Sequence, residues 1–399
     1  MKKEELICEL EVLLSESPES VAERERTTHD TLSAPFNNQL ILFGTGKLGR
    51  RTLKGLREVG IEPLAFCDNN SVIWGSDIEG LKILSPAQAV SDFGAKAAFV
   101  VTIWNDTLGH PLDEIREQLQ SYGDCTVISF LPLYWKYPVQ FLPYFSLDLP
   151  SKILSDREEL LGINPLIADA ESRLNFFKNI KSRFKGELEI LPGSIDKRIQ
   201  FKNEFLKPNP EEVFIDAGAY NGDTLKLMLE SAPFEFREFI ALEPDPNNFT
   251  ALNEYIGSLN HKASSKITTF PVAVSNFNGE IYFDGSGTEQ AQISSKGHIK
   301  VECRRIDDLL NDKEITFIKM DIEGAEPDAI EGASNIIKNK SPILAISVYH
   351  EIEHLWRIVH LINSIKKGYF FFFRPHAAGG WDYIVYAVPS NRLATPLEA

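Results

Sequence analysis

The stretch Tyr349–His360, YHEIEHLWRIVH, holds the residues most readily taken for catalytic ones. His350, Glu351 and His354 spell H-E-x-x-H, which on one helix face binds zinc through two imidazoles and uses the glutamate as general base. His360 falls where an extended form of that motif places a third ligand. The extended form needs a glycine between its second and third histidines so that the chain can turn back, and Arg357 stands there. EHLWRIVHLINSI instead reads on as one helix, with Leu355, Ile358, Val359 and Ile362 on its apolar side. On an unbroken helix His350 and His360 lie about 15 Å apart along the axis, too far to share a metal. His350 also follows PILAISVY, a strand-like run, and so sits at a strand–helix junction. The metalloprotease reading is set aside, and His354 and His360 read as surface or packing residues.

Two glycine-rich turns offer different chemistry. The first, LFGTGKLG, satisfies G-x-G-x-x-G between a strand and a helix start. Gly44 permits the tight turn, Gly46 lets the backbone approach a phosphate, and Gly49 allows close helix–strand packing. Asp68 ends the next strand, where a carboxylate could hold a ribose diol. The alternative is a Rossmann-like domain that keeps the turn for packing and binds nothing. The second turn, VFIDAGAYNGD, places Asp216 at a strand end and Gly218 and Gly222 in the loop, the spacing of a class I methyltransferase turn. There the acid and the glycine backbone receive the amino and carboxylate ends of S-adenosylmethionine, which has no pyrophosphate and needs fewer glycines. Glu243, in ALEPD, ends the next strand and can accept both ribose hydroxyls. Ala273 and Ser275, read as the end of a third strand, fall where the adenine edge would lie. Tyr220 could cover the cofactor or face solvent.

These residues need strands to position them, and the chain supplies two alternating series. QLILFG, EPLAFCD, AKAAFVVTIW and DCTVISF read as strands with helical segments between, which predicts a parallel sheet over residues 36–130. From Glu212 a second series follows: EVFIDAG, FREFIALEPD, KITTFPVAVS, ITFIKMDIEGAE, SPILAISVYH, GYFFFF and DYIVYAV. GEIYF and IKVECRRI read as an inserted hairpin. The expected organisation is a polar lead-in over 1–35 with at most one short helix, and a Rossmann-like nucleotide-binding domain over 36–130. A proline- and aromatic-rich linker over 131–165 follows, and then a cofactor domain over 166–399. Four prolines after Phe130 argue against regular helix in the linker. Leu166, Ala170, Leu174, Phe177, Ile180 and Phe184 recur at helical spacing and are expected to pack on the second domain. The fold class is therefore α/β with two doubly wound domains, the second of class I methyltransferase type with a β-hairpin insertion.

Composition narrows the partners. The chain of 399 residues is 43% hydrophobic and 25% charged, with a net charge of −16, so neither nucleic acid nor an anionic membrane suits it. Cys8, Cys67, Cys125 and Cys303 are scattered with no CxxC pair, which predicts free thiols in a cytoplasmic protein. The first residues lack the apolar core of a signal peptide, and no apolar run reaches the ~20 residues of a membrane span.

FIDAGAYNGDT, ALEPDPNNF, PVAVSNFNGEIYF, RRIDDLL, FIKMDIEGAEPDAIEGA, PILAISVYH and DYIVYAV follow one another as in the FkbM-type methyltransferases, which residues 212–389 resemble. The resemblance implies methyl transfer from S-adenosylmethionine to a hydroxyl, commonly on a sugar or natural product. The first domain lies outside it. PLAFCDNN followed by IEGLKILSP instead looks like small nucleotide-binding domains of some sugar-modifying transferases, which implies a nucleotide or nucleotide-sugar ligand.

In open α/β sheets ligands bind beyond the carboxyl ends of the strands. Asp321 and Glu323 follow one strand and His350 follows its neighbour, so all three are expected beside a methyl donor. His350 could act as base with a carboxylate orienting it. Alternatively Asp321, with His350 or Glu323, could hold a divalent cation that acidifies the acceptor hydroxyl. Glu326 reads as solvated charge at a helix start. Two rival functions stay open: an NAD-linked nucleotide-sugar oxidoreductase using the first glycine turn, and a non-catalytic nucleotide-binding scaffold. The acceptor itself is not legible, since DGSGTEQAQISSKGH, in the inserted hairpin, carries no recognisable code.

Overall fold

The computed structural model describes residues 3–193, 203–230, 236–283 and 299–394. The chain divides into two units. The first comprises Met1–Arg157, Phe176–Ile195 and Ala377–Asp382, and the second Glu158–Asn175, Asp196–His376 and Tyr383–Ala399.

In the first unit six strands form one sheet: β1 (Leu40–Phe43), β2 (Ala65–Cys67), β3 (Asp77–Ile78), β4 (Leu81–Leu84), β5 (Ala98–Val101) and β6 (Thr126–Ser129), in the order β3-β4-β2-β1-β5-β6. All neighbours run parallel except β3 and β4. The short β3–β4 hairpin was not visible in the sequence. Strands β1, β2 and β5 are buried along their whole length, which explains their unbroken apolar runs. The order reverses between β1 and β5, and the glycine turn Gly44–Gly49 follows β1 at that point.

Residues 1–35 depart from the expected polar lead-in. They form two helices, Lys3–Leu13 and Pro18–Ser33, with Leu6, Leu10, Leu14 and Val21 buried. The apolar residues are sparse but recur at intervals of four, enough for a narrow stripe in a polar sequence. The segment 131–165 also differs from a linker. It holds the helices Leu131–Lys136, Pro138–Phe141, Pro150–Ser155 and Arg157–Gly162, and Tyr134, Trp135 and Phe141 join the core of the first unit. Pro132, Pro138 and Pro150 occupy the first turns of these helices, where a missing N–H costs no hydrogen bond. The helix Ala170–Lys185 is present, but from Phe176 onward it belongs to the first unit, burying Phe176, Ile180 and Phe184.

The second unit contains a seven-stranded sheet of β7 (Glu212–Ala217), β8 (Phe236–Leu242), β9 (Ile267–Phe270), β13 (Phe317–Met320), β14 (Ile343–Ser347), β15 (Tyr369–Pro375) and β16 (Tyr383–Pro389). Its order is β15-β16-β14-β13-β7-β8-β9, with β16 antiparallel between β14 and β15. A smaller sheet of β10 (Val272–Val274), β11 (Gly279–Phe283) and β12 (Ile299–Arg304) has the order β10-β12-β11. The expected third strand, KITTFPVAVS, is thus two strands broken at Pro271 that belong to different sheets. Strands β11 and β12 pair antiparallel as the expected hairpin; the segment between them, residues 284–298, lies outside the described residues. No helix among the described residues is long and apolar enough to cross a membrane. The four cysteines are free thiols.

Candidate functional site

The site of the second unit is built on the carboxyl ends of four adjacent parallel strands, β8, β7, β13 and β14. Each carries an ionisable residue close to its end, from the next-to-last position to three residues beyond the last: Glu243, Asp216, Asp321 and His350. The strand order reverses between β7 and β13, the place where α/β sheets open a crevice for ligands.

Asp216 is wholly buried, and its Oδ1 lies 3.1 Å from Nζ of Lys319, its register partner on β13. Burial pushes the Asp216 carboxyl up to about 6 against the pull of Lys319. Burial also works against the Lys319 charge, but Asp216, Asp321 and Asp223 together hold its pKa above the ordinary lysine value. The two form an ion pair at neutral pH. Oδ2 of Asp216 is buried without a hydrogen-bond partner among the described residues. Lys319 was missed from sequence, although a lysine inside the apolar run ITFIKMDI is itself a signal.

Gly218 has φ +80°, and a Cβ there would stand 1.9 Å from the Asp321 carbonyl oxygen. Only glycine permits this crossing of the two strand ends. Gly222 has φ +88°, and a Cβ would press on Tyr255 and Leu252, so its requirement is helix packing. Tyr220 is left-handed at φ +47°. Its N–H donates to Glu243 Oε2 at 2.8 Å, and Asp245 N–H donates to Glu243 Oε1 at 2.9 Å. Glu243 therefore clamps the glycine turn; burial raises its pKa while these N–H groups and the Asn248 side chain oppose the rise. Ala273 and Ser275 do not end a strand of the main sheet. They lie beyond β9, with Ala273 in β10 and Ser275 donating its N–H to the Arg304 carbonyl.

The first unit repeats the clamp. Asp68 Oδ2 accepts the Thr45 N–H at 2.8 Å and the Thr45 hydroxyl at 2.6 Å, and Oδ1 accepts Asn70 N–H at 2.9 Å. In both units the acid after the second strand holds a turn amide 23 residues earlier. Gly49 is needed for packing, since a Cβ would lie 2.0 Å from the Gly44 carbonyl, and Gly44 has φ +108°. Gly46 faces open space.

Around His350 the structure gathers more charge than the sequence indicated. Its Nε2 lies 3.4 Å from Asp321 Oδ1 and 3.7 Å from Glu323 Oε2, and its Nδ1 lies 2.9 Å from Glu326 Oε1. Glu326 is not solvated charge: it is wholly buried, accepts the Ile322 N–H at 2.9 Å, and its Oε2 is 3.4 Å from His354 Nδ1. The loop from Asp321 turns back through left-handed Glu323 and Gly324, which carries Glu326 under the ring. Burial alone would raise Glu326, but His350 and His354 hold it below the usual carboxylate range. Burial would lower His350, yet Glu326, Asp321 and Glu323 raise it to about 9. His354 is buried and its pKa is lowered, chiefly by burial. His360 is a packing residue whose Nε2 meets the Glu159 carbonyl at 2.7 Å. The helix His354–Ile365 is unbroken and begins after His350, so the three histidines do not converge. Tyr349 completes the cluster, donating its hydroxyl to Asp321 Oδ1 at 3.1 Å.

Comparison with known proteins bears on the second unit. Residues 216–371 match the methyltransferase FkbM domain. The FkbM domain spans all four strand ends, and methyl transfer is the reaction class it indicates. The solved structure of methyltransferase FkbM from Methylobacillus flagellatus KT is 22% identical with a TM-score of 0.77, covering 96% of this chain and 99% of that one, which establishes the fold. A putative rRNA-methylase from Clostridium thermocellum (10% identity, 50% of this chain and 92% of that chain, TM-score 0.30) also matches. So does an rRNA methylase from Streptococcus thermophilus (9% identity, 48% and 93%, TM-score 0.30). At those scores neither adds to the argument. No curated protein matches the chain.

Proposed function

We propose that the second unit is an S-adenosylmethionine-dependent O-methyltransferase acting on a hydroxyl of a sugar or sugar-containing metabolite. The observation that carries this reading is the row of Glu243, Asp216, Asp321 and His350 along four neighbouring strand ends within the FkbM domain. S-adenosylmethionine supplies an electrophilic methyl group on a sulfonium. Asp216, with its unpartnered Oδ2, fits the donor's ammonium, the Gly218–Gly222 backbone its carboxylate, and Glu243 its ribose diol. Ala273 and Ser275 remain candidates for the adenine side.

Alkylating a hydroxyl forms one O–C bond, breaks one S–C bond and releases one proton. Asp321, Glu323 and His350 are the groups placed to ease that proton's departure. Against the lowering effect of burial, Glu326, Asp321 and Glu323 raise the His350 pKa, which makes the ring a stronger proton acceptor and supports a role as base with these carboxylates orienting it. Much of the rate would come from holding donor and acceptor in line and away from water. A nucleotide or nucleotide-sugar at the first glycine turn is a secondary reading, favoured by the open space at Gly46.

The test is methyl transfer from radiolabelled S-adenosylmethionine to a panel of monosaccharides and nucleotide-sugars. The expected result is label in an ether-linked product and stoichiometric S-adenosylhomocysteine. Label fixed on nitrogen or carbon would overturn the O-methyl assignment. NADH-dependent turnover without methyl transfer would favour the oxidoreductase.

A further inference from the structure

Glu326 faces the Nδ1 side of the buried His350 ring, and Asp321 and Glu323 face its Nε2 side. Asp321, Glu326 and His350 each offer one ligand atom, and these atoms lie within 4.8 Å of one another. They come from three independent places: the end of β13, the first residue of the helix Glu326–Gly332, and the end of β14. We propose that Asp321, Glu326 and His350 form a divalent-cation site at the carboxyl ends of β13 and β14.

The imidazole supplies the independent support. The His350 side chain is only 2% exposed, yet neither ring nitrogen has a hydrogen-bond partner among the described residues. Glu326 Oε1 lies 2.9 Å from Nδ1 as an ion-pair contact. Two ligand atoms bonded at ~2.1 Å to one cation, at right angles, stand ~3 Å apart. The Glu326 Oε1–His350 Nδ1 pair has that spacing, and Asp321 Oδ1 lies 3.4 Å from Nε2. Glu326 Oε2 is also buried without a hydrogen bond. A buried carboxylate and a buried ring left in this way are costly unless a further charge completes them.

The charge count points the same way. Four carboxylates, Asp321, Glu323, Glu326 and Glu351, lie within 4 Å of the two imidazoles His350 and His354. The proposed ligands are themselves held from behind: Tyr349 donates to Asp321, and the Ile322 N–H donates to Glu326. Such outer contacts orient ligands in metal centres. Two carboxylates and one imidazole suit Mg²⁺, Mn²⁺ or Zn²⁺. Asp321, with 26% of its side chain exposed, is the side from which an acceptor could approach.

Cation binding stands on these contacts alone. Its role, making an acceptor hydroxyl more acidic by polarising its oxygen, rests on the methyl-transfer reading above. The site is unrelated to the H-E-x-x-H pattern: it uses the first histidine and none of the others.

The experiment is calorimetric titration of the EDTA-treated full chain with Mn²⁺, with thermal unfolding and the Mn²⁺ electron spin resonance signal read in parallel. One Mn²⁺ per chain with a raised Tm is expected. Glu326→Gln should lose at least tenfold in affinity, and Asp321→Asn, at a partly exposed position that tolerates change better, should do the same. Glu351→Gln should retain wild-type affinity. No Mn²⁺, Mg²⁺ or Zn²⁺ binding at millimolar concentration, or binding unchanged in both ligand variants, would overturn the site. S-adenosylmethionine affinity, titrated on the same samples, separates the two claims. Donor binding without a cation removes the metal site alone, whereas a bound cation without donor binding removes the methyl-transfer reading alone.

Discussion

Glycine at position 218 and glycine at position 46 occupy corresponding turns but answer to different constraints. At Gly218 the backbone is left-handed and the next strand end lies against the missing Cβ. Gly218→Ala should cost about 2 kcal/mol or more and lower the Tm by several degrees, together with loss of donor affinity. At Gly46 the Cβ would meet nothing, and Gly46→Ala should leave the Tm within about 1 °C of wild type. Circular dichroism melting of the two variants checks this; equal losses would show that the two turns are built alike. Asp216 and Lys319 illustrate the other residue-scale constraint. Taking either partner from a buried pair leaves an uncompensated charge, at a cost of about 3–5 kcal/mol. The sequence revealed Asp216, Glu243, Asp321 and His350 because strand ends can be read from apolar runs. It hid Glu326, since two left-handed residues in the intervening loop decide whether that acid faces solvent or the ring.

Among the elements, the strands were legible and several helices were not. Strands buried on both faces spell out continuous apolar runs, whereas β3–β4 is too short to show a period. The helices after Phe130 were obscured by prolines that in fact start them. The helix Pro18–Ser33 was obscured because it buries little besides Val21 and the polar Glu25, His29 and Ser33. That burial has a consequence with pH. Burial depresses His29 and His110 from an ordinary 6.5 to about 4 each. Between those values the unfolded chain binds more protons than the folded one. Stability is therefore full above pH 6.5, falls as pH drops toward 4 and levels off below it. Each ring accounts for on the order of 1–3 kcal/mol. Neither nitrogen of His29 has a hydrogen-bond partner among the described residues, so His29→Leu should preserve or raise the Tm at pH 7 and reduce its fall between pH 7 and 5. An unchanged acid slope would show that His29 does not contribute.

At the scale of the whole molecule, the chain carries two parallel α/β sheets, each with a glycine turn after its first strand and an acid clamping that turn. Their chemistry differs. The first acid is occupied by three contacts from its own chain, and among the described residues the group of side chains able to hold a metal ion lies around His350. The second unit combines a match to the FkbM domain with four ionisable strand ends and a buried acid, Asp216, whose Oδ2 has no hydrogen-bond partner among the described residues. The central claim is that the donor binds across β7 and β8. Calorimetric titration of S-adenosylmethionine into the full chain and into Asp216→Ala tests it most directly. The account predicts one site per chain, weakened at least tenfold by the substitution while the variant remains folded. Wild-type affinity in Asp216→Ala, or no binding to the native chain, would contradict it.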